Sequence, residues 1–597
     1  MVDKLEQLAD EVIETDFLII GGGLVGSMAA IRAKKKSKKI DITIIDKATM
    51  EYSGDGTGLD NFLQVPLRKK DSKKRAVDNE EAKKSVFGSD RLKGLTQTKL
   101  DAIQMENAFL SQPILEEIGV QVSEDDGTNK VIQGYRRGTV WGRVEYDEKG
   151  KPTEPFFGTI SRGTDLKVRL GTAVRKSGVR VFDRTMVTSV ITQEGEAVGA
   201  TALNTRTGRF YVFKAKAILM ATGGMSRLYP YKWGPFPNRL FYTLASPVLD
   251  GGGHVCAYNA GAKMYSMEMA VVYNVSKGIN HSSGGGACNW YFKMYNSKGE
   301  VLEDKYPDMV VTKAGGMIPG VNFLYSPNMQ NPEFEREVIK SAKHKALKDE
   351  IIGTYFTAVT EPPKALKFHK LAGGLTNEPP AECVSVIIGK GNTGSGGIFR
   401  ENEQSETSVK NLFAAGNVVG RGGSGGFTWG CLIADHVVEL VKDKNKLAAF
   451  GKDQFKQIDE AKKWVYAPLG REVAHRVNPL ELEDYIRGVN DTFIGIHRNK
   501  PRLERAVELI QLAKKGAVPN LAVSNWHELM RAIEVQNIID ISEQHAQSAL
   551  IRTESRLLPM HYRDDFPNED PVWDDIVVTV QKVAGKAKYR KEHLNKE

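Results

Sequence analysis

The run Phe17-Leu18-Ile19-Ile20-Gly21-Gly22-Gly23-Leu24-Val25-Gly26 decides the fold. A short apolar stretch that stops at glycines reads as a buried parallel strand rather than a helix. After the glycines, Ser27 to Lys36 is alanine-rich with basic residues towards its end, which predicts a helix whose charges suit its carboxyl-terminal dipole. Ile40-Asp41-Ile42-Thr43-Ile44-Ile45-Asp46 predicts a second, β-branched strand, and Asp46 stands 20 residues after Gly26. Alone, the G-x-G-x-x-G pattern is weak, but between a strand and a helix with an acid ending the next strand it points to a dinucleotide. The glycines permit a tight turn and let backbone N–H groups approach a pyrophosphate at the helix amino terminus. Asp46 would accept hydrogen bonds from the adenosine ribose.

Working outward, 597 residues exceed what one hydrophobic core supports, so the chain has several core-forming units. Hydrophobic residues at 41%, charged residues at 26% and 58 glycines fit a globular chain with many tight turns. The net charge of +9 comes from lysine runs such as Lys34 to Lys39, Lys69 to Lys84 and Lys582 to Lys591. No aromatic-interleaved basic module accompanies them, so they read as solvated surface suited to anionic substrates or an acidic electron-transfer partner, not as a nucleic-acid site. Cys256, Cys288, Cys383 and Cys431 show no C-x-x-C spacing, so iron–sulfur clusters are not expected in this chain. The start is acidic and amphipathic, and no apolar run approaches the roughly 18 residues of a membrane helix. A cytoplasmic protein without direct membrane insertion is expected.

Further along, Arg209 to Phe213 and Ala217 to Met220 read as a pair of strands leading into Ala221-Thr222-Gly223-Gly224. From about Gly251 to Gly394 the texture turns glycine-, proline- and aromatic-rich, suggesting an inserted α+β unit. Asn411-Leu412-Phe413-Ala414-Ala415-Gly416 restores the first fold, with a helix expected to start near Gly430. From Asp453 onward, apolar spacing in Leu503 to Leu512 and Trp526 to Leu550 predicts a helical carboxyl-terminal unit.

The two later segments, Ala221 to Gly224 and Leu412 to Asn417, separate flavin from nicotinamide nucleotides. In this order the chain resembles the fumarate reductase and succinate dehydrogenase flavoprotein superfamily. Within it the sequence is similar to the alpha subunit of dissimilatory adenylylsulfate reductase, in ETDFLIIGGGLVG, DKATMEYSG, FYVFKAKAILMATGG, His527 to Ala532, Arg552 to Arg556 and Tyr562 to Pro567. The resemblance implies an α/β fold: a Rossmann-like FAD-binding domain with an inserted α+β capping domain and a C-terminal helical domain. The corresponding divisions are 1–255 for the first part of the FAD-binding domain, 256–395 for the cap, 396–450 for the return segment and 451–597 for the helical domain. It implies non-covalent FAD held by Gly21, Gly22, Gly23, Leu24, Val25, Gly26, Asp46, Lys47, Ser53, Gly54, Ala221, Thr222, Gly223, Gly416, Asn417, Ser424 and Gly430. In this family a helix amino terminus stabilises reduced-flavin charge near the pyrimidine. Flavin N5 exchanges electrons with a small-molecule substrate, and a ferredoxin-like partner subunit with [4Fe–4S] clusters relays them. Phe241 matches the position of a tryptophan on that route.

The departures are specific. Adenylylsulfate reductases place an arginine in the segment matching Ser266 to Ala270, and Ala270 stands there; the turn Ile388 to Gly394 lacks their substrate-facing histidine. Without both, a sulfonyl-phosphate anion loses charge pairing. The histidine and arginine pair of fumarate reduction is also missing from Arg421 to Gly430, where one displaced arginine remains, and the acid usual after Ala-Ala-Gly is Asn417. Candidate substrate residues are Asn61, Arg421, His281 and His369, with Lys390 beside them. Arg552, Glu554 and Arg556 read as an ion-pair set on a helix surface. The expectation is a flavoprotein subunit doing two-electron chemistry on a small anionic or polar substrate other than adenylylsulfate. The alternatives are an electron-transfer module with a vestigial pocket and an adenylylsulfate reductase alpha subunit with a rearranged site.

Overall fold

The computed structural model describes residues 5–58, 61–64, 97–120, 159–162, 165–230, 246–276, 292–296, 352–356, 381–389, 396–420, 425–444, 446–495, 497–556 and 561–594. Its main sheet is built from β1 (Glu11–Ile20), β2 (Ile42–Ile45), β3 (Arg180–Phe182), β4 (Thr185–Gln193), β5 (Glu196–Asn204), β6 (Phe210–Met220) and β7 (Leu412–Ala414). The order is β3-β2-β1-β6-β5-β4, with β7 also pairing with β6. The β1, β2, β3, β6 and β7 pairings are parallel, while β4, β5 and the first half of β6 form an antiparallel ribbon. Phe17, Leu18, Ile19 and Ile20 are each at most 2% exposed, as a strand covered on both faces requires.

The two strands expected between Arg209 and Met220 are one. Lys214 and Lys216 interrupt the apolar pattern, but Glu14 and Asp16 of β1 lie opposite and pair with them at 2.8 Å each. These cross-strand ion pairs carry the strand through its polar middle.

Helix α1 (Leu24–Lys36) follows the glycine turn and packs on α3 (Gly425–Asp443), while α2 (Leu166–Lys176) packs on α1 and on the short helix Met50–Tyr52. The helix expected near Gly430 starts at Gly425. Gly430 is a helix-crossing position, where a Cβ would lie 2.7 Å from the Val25 carbonyl oxygen.

Within the expected cap, four antiparallel strands run in the order Val271–Ser276, Ala381–Gly389, Ile352–Phe356, Phe292–Asn296. The carboxyl-terminal part holds α4 (Lys452–Tyr466), α5 (Pro479–Phe493), α6 (Lys500–Leu512) and α7 (Trp526–Ile551). Asn478, Asn499 and Asn525 cap the last three, each side chain accepting a backbone N–H of the first turn. Beyond the helices the chain adds a hairpin, Ile576–Val583 with Lys586–His593, which joins Met264–Tyr265 and Gly397–Ile398 in a further four-stranded sheet. The lysine-rich second strand of that hairpin hides the β pattern in the sequence. Among the described residues no helix is long and apolar enough to cross a membrane.

Arg552, Glu554 and Arg556 are not a surface set. They lie past the end of α7 and are buried, Arg552 bridging Glu268 and Glu554 at 2.6 Å each and stacking over Trp573.

Candidate functional site

The sheet register brings the candidate site together. Ile20 lies opposite both Ile45 and Met220, and Met220 opposite Ala414, so four parallel strands end at one level. The loops that follow, at Gly21, Asp46, Ala221 and Ala415, therefore share the crevice outside the carboxyl ends of the strands, where open α/β sheets bind ligands.

Within the crevice the glycine turn is held from several sides. Gly21 takes φ +104°, and a Cβ there would come 2.4 Å from the Ala221 carbonyl oxygen. The Gly22 N–H donates to Asp46 Oδ2 at 2.9 Å, the other Asp46 oxygen accepts from Ala48 N and Ser53 Oγ, and Ser27 Oγ donates to the Gly22 carbonyl. A second donor to that carbonyl is the ammonium of Lys167, buried at 3% exposure on α2, where burial pushes it down to about 8. Helix α1 begins at Gly23 with no side-chain cap and no acid in its first turn.

These features fit a dinucleotide. The uncapped N–H groups of α1 and the positive end of its dipole suit a pyrophosphate. The Thr222 hydroxyl is buried and has no hydrogen-bond partner among the described residues, which leaves a polar atom for a ligand on the opposite wall. When bound, FAD supplies two-electron exchange at its ring system; the residues here bind and orient it.

Lys47 turns away from the glycine turn, its ammonium 2.6 Å from Asp250 and 2.9 Å from Glu534 of α7. Glu534 also meets Arg227 at 2.7 Å, and Arg227 forks onto Glu483. Burial opposes the Glu534 charge, yet Lys47, Arg227 and Arg531 hold its carboxyl down at about 2. This buried network ties the crevice to α5 and α7. Gly416, at φ +81°, lies against Val25, and Asn417 donates to Asp55 at 3.3 Å. Asn61 opens the strand Asn61–Gln64, whose side chains lie outside the described residues, as do Arg421, Ser424, His281, His369, Lys390 and Phe241.

The sequence reading missed Lys167, Asp55 and the Arg227 network. Asp55 accepts from Ser246 N at 3.1 Å and from Asn417, and burial pushes its carboxyl up despite both donors. A carboxyl raised by folding destabilises the protein above its folded pKa and is neutral in effect below the unfolded one. Asp55→Asn is therefore expected to raise the urea midpoint of the apoprotein at pH 7, with the gain vanishing below about pH 3.5. An equal gain at both pH values would contradict this origin.

The chain matches the FAD binding domain family over residues 16–281 and the fumarate reductase flavoprotein C-terminal family over residues 486–596. It is 23% identical over 96% of its length to a subunit of the fumarate reductase (CoM/CoB) of Methanothermobacter marburgensis, covering 99% of that protein. Among solved structures it is similar to E. coli quinol fumarate reductase FrdA carrying a point mutation, at TM-score 0.74 and 17% identity with 98% of each chain covered. It is also similar to adenylylsulfate reductase from Archaeoglobus fulgidus, at TM-score 0.71 and 22% identity, covering 98% of this chain and 96% of that one.

Proposed function

As this chain is an FAD-dependent oxidoreductase of the fumarate reductase/succinate dehydrogenase flavoprotein family, we propose that it is the flavoprotein subunit of an iron–sulfur-linked complex acting on a small anionic or polar substrate other than adenylylsulfate. In this reading the FAD domain spans 1–255 and 396–450, the cap 256–395 and the carboxyl-terminal domain 451–597.

The observation that carries the substrate reading is Ala270. The turn Ser266 to Ala270 is buried throughout, with Ser266 at φ +49° and Ala270 at 1% exposure. Its one acid, Glu268, pairs inward with Arg552. The segment therefore offers no charge to a substrate, where an adenylylsulfate site calls for an arginine. A cluster-bearing partner is supported by the M. marburgensis relative, which is named as one subunit of its enzyme. It is also supported by Cys256 and Cys431, core thiols that burial pushes up to about 12, a setting for packing rather than ligation.

Purified with FAD, the protein is expected to be yellow with one flavin per chain. Anaerobically reduced, it should be reoxidised by a small organic acceptor from a panel of unsaturated carboxylates and disulfides, and AMP with sulfite should leave the oxidised flavin unchanged. Reduction by AMP and sulfite at the rate of an adenylylsulfate reductase would overturn the substrate reading. Affinity purification from the native host should bring down a small cysteine-rich protein; its absence from a flavin-loaded preparation would count against the complex.

A further inference from the structure

Lys167 lies at the second position of α2 and is 3% exposed, yet its ammonium makes one hydrogen bond, to the Gly22 carbonyl. Among the described residues no carboxylate forms an ion pair with it. The carboxylates facing it are Asp46 at the end of β2, Glu51 in the short helix Met50–Tyr52, and Asp183 after β3. Asp46 is occupied by Gly22 N, Ala48 N and Ser53 Oγ, and Glu51 and Asp183 are both bound by Arg175. From α1, the first two turns, Leu24 to Ile31, bring no titratable side chain. A buried cation is costly unless an anion completes it, and this one borders the turn that leads into the uncapped start of α1.

We propose that Lys167 is a cofactor ligand: its ammonium, held on the Gly22 carbonyl, directs its remaining protons and its charge at the phosphate of the adenylate half of FAD. The inference rests on FAD as the cofactor. It also makes cofactor retention dependent on pH. Burial brings the ammonium of the free protein down to about 8, so alkaline solution removes the charge. A neutral amine still donates to the Gly22 carbonyl. A purely structural lysine would therefore leave FAD affinity indifferent to pH, and a phosphate ligand would not.

The test is the dissociation constant of FAD, from quenching of flavin fluorescence by the apoprotein at pH 6.5, 7.5 and 9. Lys167→Met is expected to bind at least about tenfold more weakly than wild type at pH 6.5, the scale of a charge-assisted hydrogen bond. Wild type should weaken towards the Lys167→Met value by pH 9, and Lys167→Arg, charged throughout, should stay flat. Wild-type affinity that is constant with pH overturns the proposal without reference to any variant, so a misfolded Lys167→Met does not shelter it. Lys167→Met within twofold of wild type at pH 6.5 also overturns it. Failure of wild type to bind FAD at every pH is a different result, and removes the cofactor reading itself.

Discussion

Gly26→Ala is expected to abolish FAD binding, raising the dissociation constant at least about a hundredfold and costing about 3 kcal/mol of stability, the upper range for overpacking. Gly26 stands in α1 with ordinary helical backbone, so no torsional strain enters. The cost is steric: a Cβ would lie 2.1 Å from the Gly21 carbonyl oxygen and 2.9 Å from Ile19 Cγ2. Neither neighbour yields easily, since one is backbone and the other is packed in β1. The helix must move off the strand, and the turn between them opens. Gly23→Ala supplies the contrast, because the nearest atom to its Cβ is the Ala221 carbonyl oxygen at 3.8 Å. That variant should keep the stability of the apoprotein within about 0.5 kcal/mol. Urea unfolding and fluorescence titration of both variants separate the two effects, and a Gly26→Ala protein that binds FAD like wild type would refute the role given to this contact.

Arg227→Met is expected to cost about 3 kcal/mol, measured as the loss in the urea transition that involves α7. Arg227 is 2% exposed and divides its guanidinium between Glu483 and Glu534, both equally buried. Removing it leaves two carboxylates in the interior with partial compensation from Arg487, Lys47 and Arg531. Replacing Lys463, which pairs with Asp459 on the solvent side of α4, should cost under about 0.5 kcal/mol. The network also sets an acid limit. Glu534, held at about 2 against an ordinary 4.5, contributes stability that is complete above the ordinary value and lost as pH falls towards 2. Arg227→Met should raise the Glu534 carboxyl towards its ordinary value, so that less stability is lost as pH falls below 4.5 and the loss is complete at higher pH; an unchanged dependence on pH would show that Arg227 does not hold Glu534.

From Phe17 to Ile45 the strand, turn, helix and strand were legible because short-range rules govern them: the doubly covered end of β1 has no polar residue, and its glycines follow at once, whereas Glu11 to Asp16, with three acids, carry no such signal. The break expected inside β6 shows where such rules stop. Lys214 and Lys216 look like a strand end until Glu14 and Asp16, 200 residues earlier in the chain, are placed opposite. Lys167 and Arg227 carry no local signature for the same reason, since their partners lie 145 and 307 positions away. Arg552, Glu554 and Arg556 were visible as an ion set, but their depth was not, because Glu268 and Trp573 supply it from distant segments. Of the candidate site, the glycine turn and Asp46 were readable as chemistry. Lys47 was readable only as a neighbour of Asp46, and its side chain serves a different wall.

The sheet that forms the crevice is not finished when its glycine turn has been made. Its last parallel strand is Leu412–Ala414, and the carboxylate that holds Lys47 and Arg227 belongs to Glu534. On the ribosome, the segment that announces the cofactor emerges first and waits for most of the chain before its neighbours exist. At typical synthesis rates of about 5–20 residues per second, that interval is tens of seconds. The nascent chain must then keep an apolar strand such as Phe17–Ile20 from aggregating while it has no lasting cover. Flavin capture becomes a late event, which waits for Leu412–Ala414 and Glu534 to join the segment that announces the cofactor.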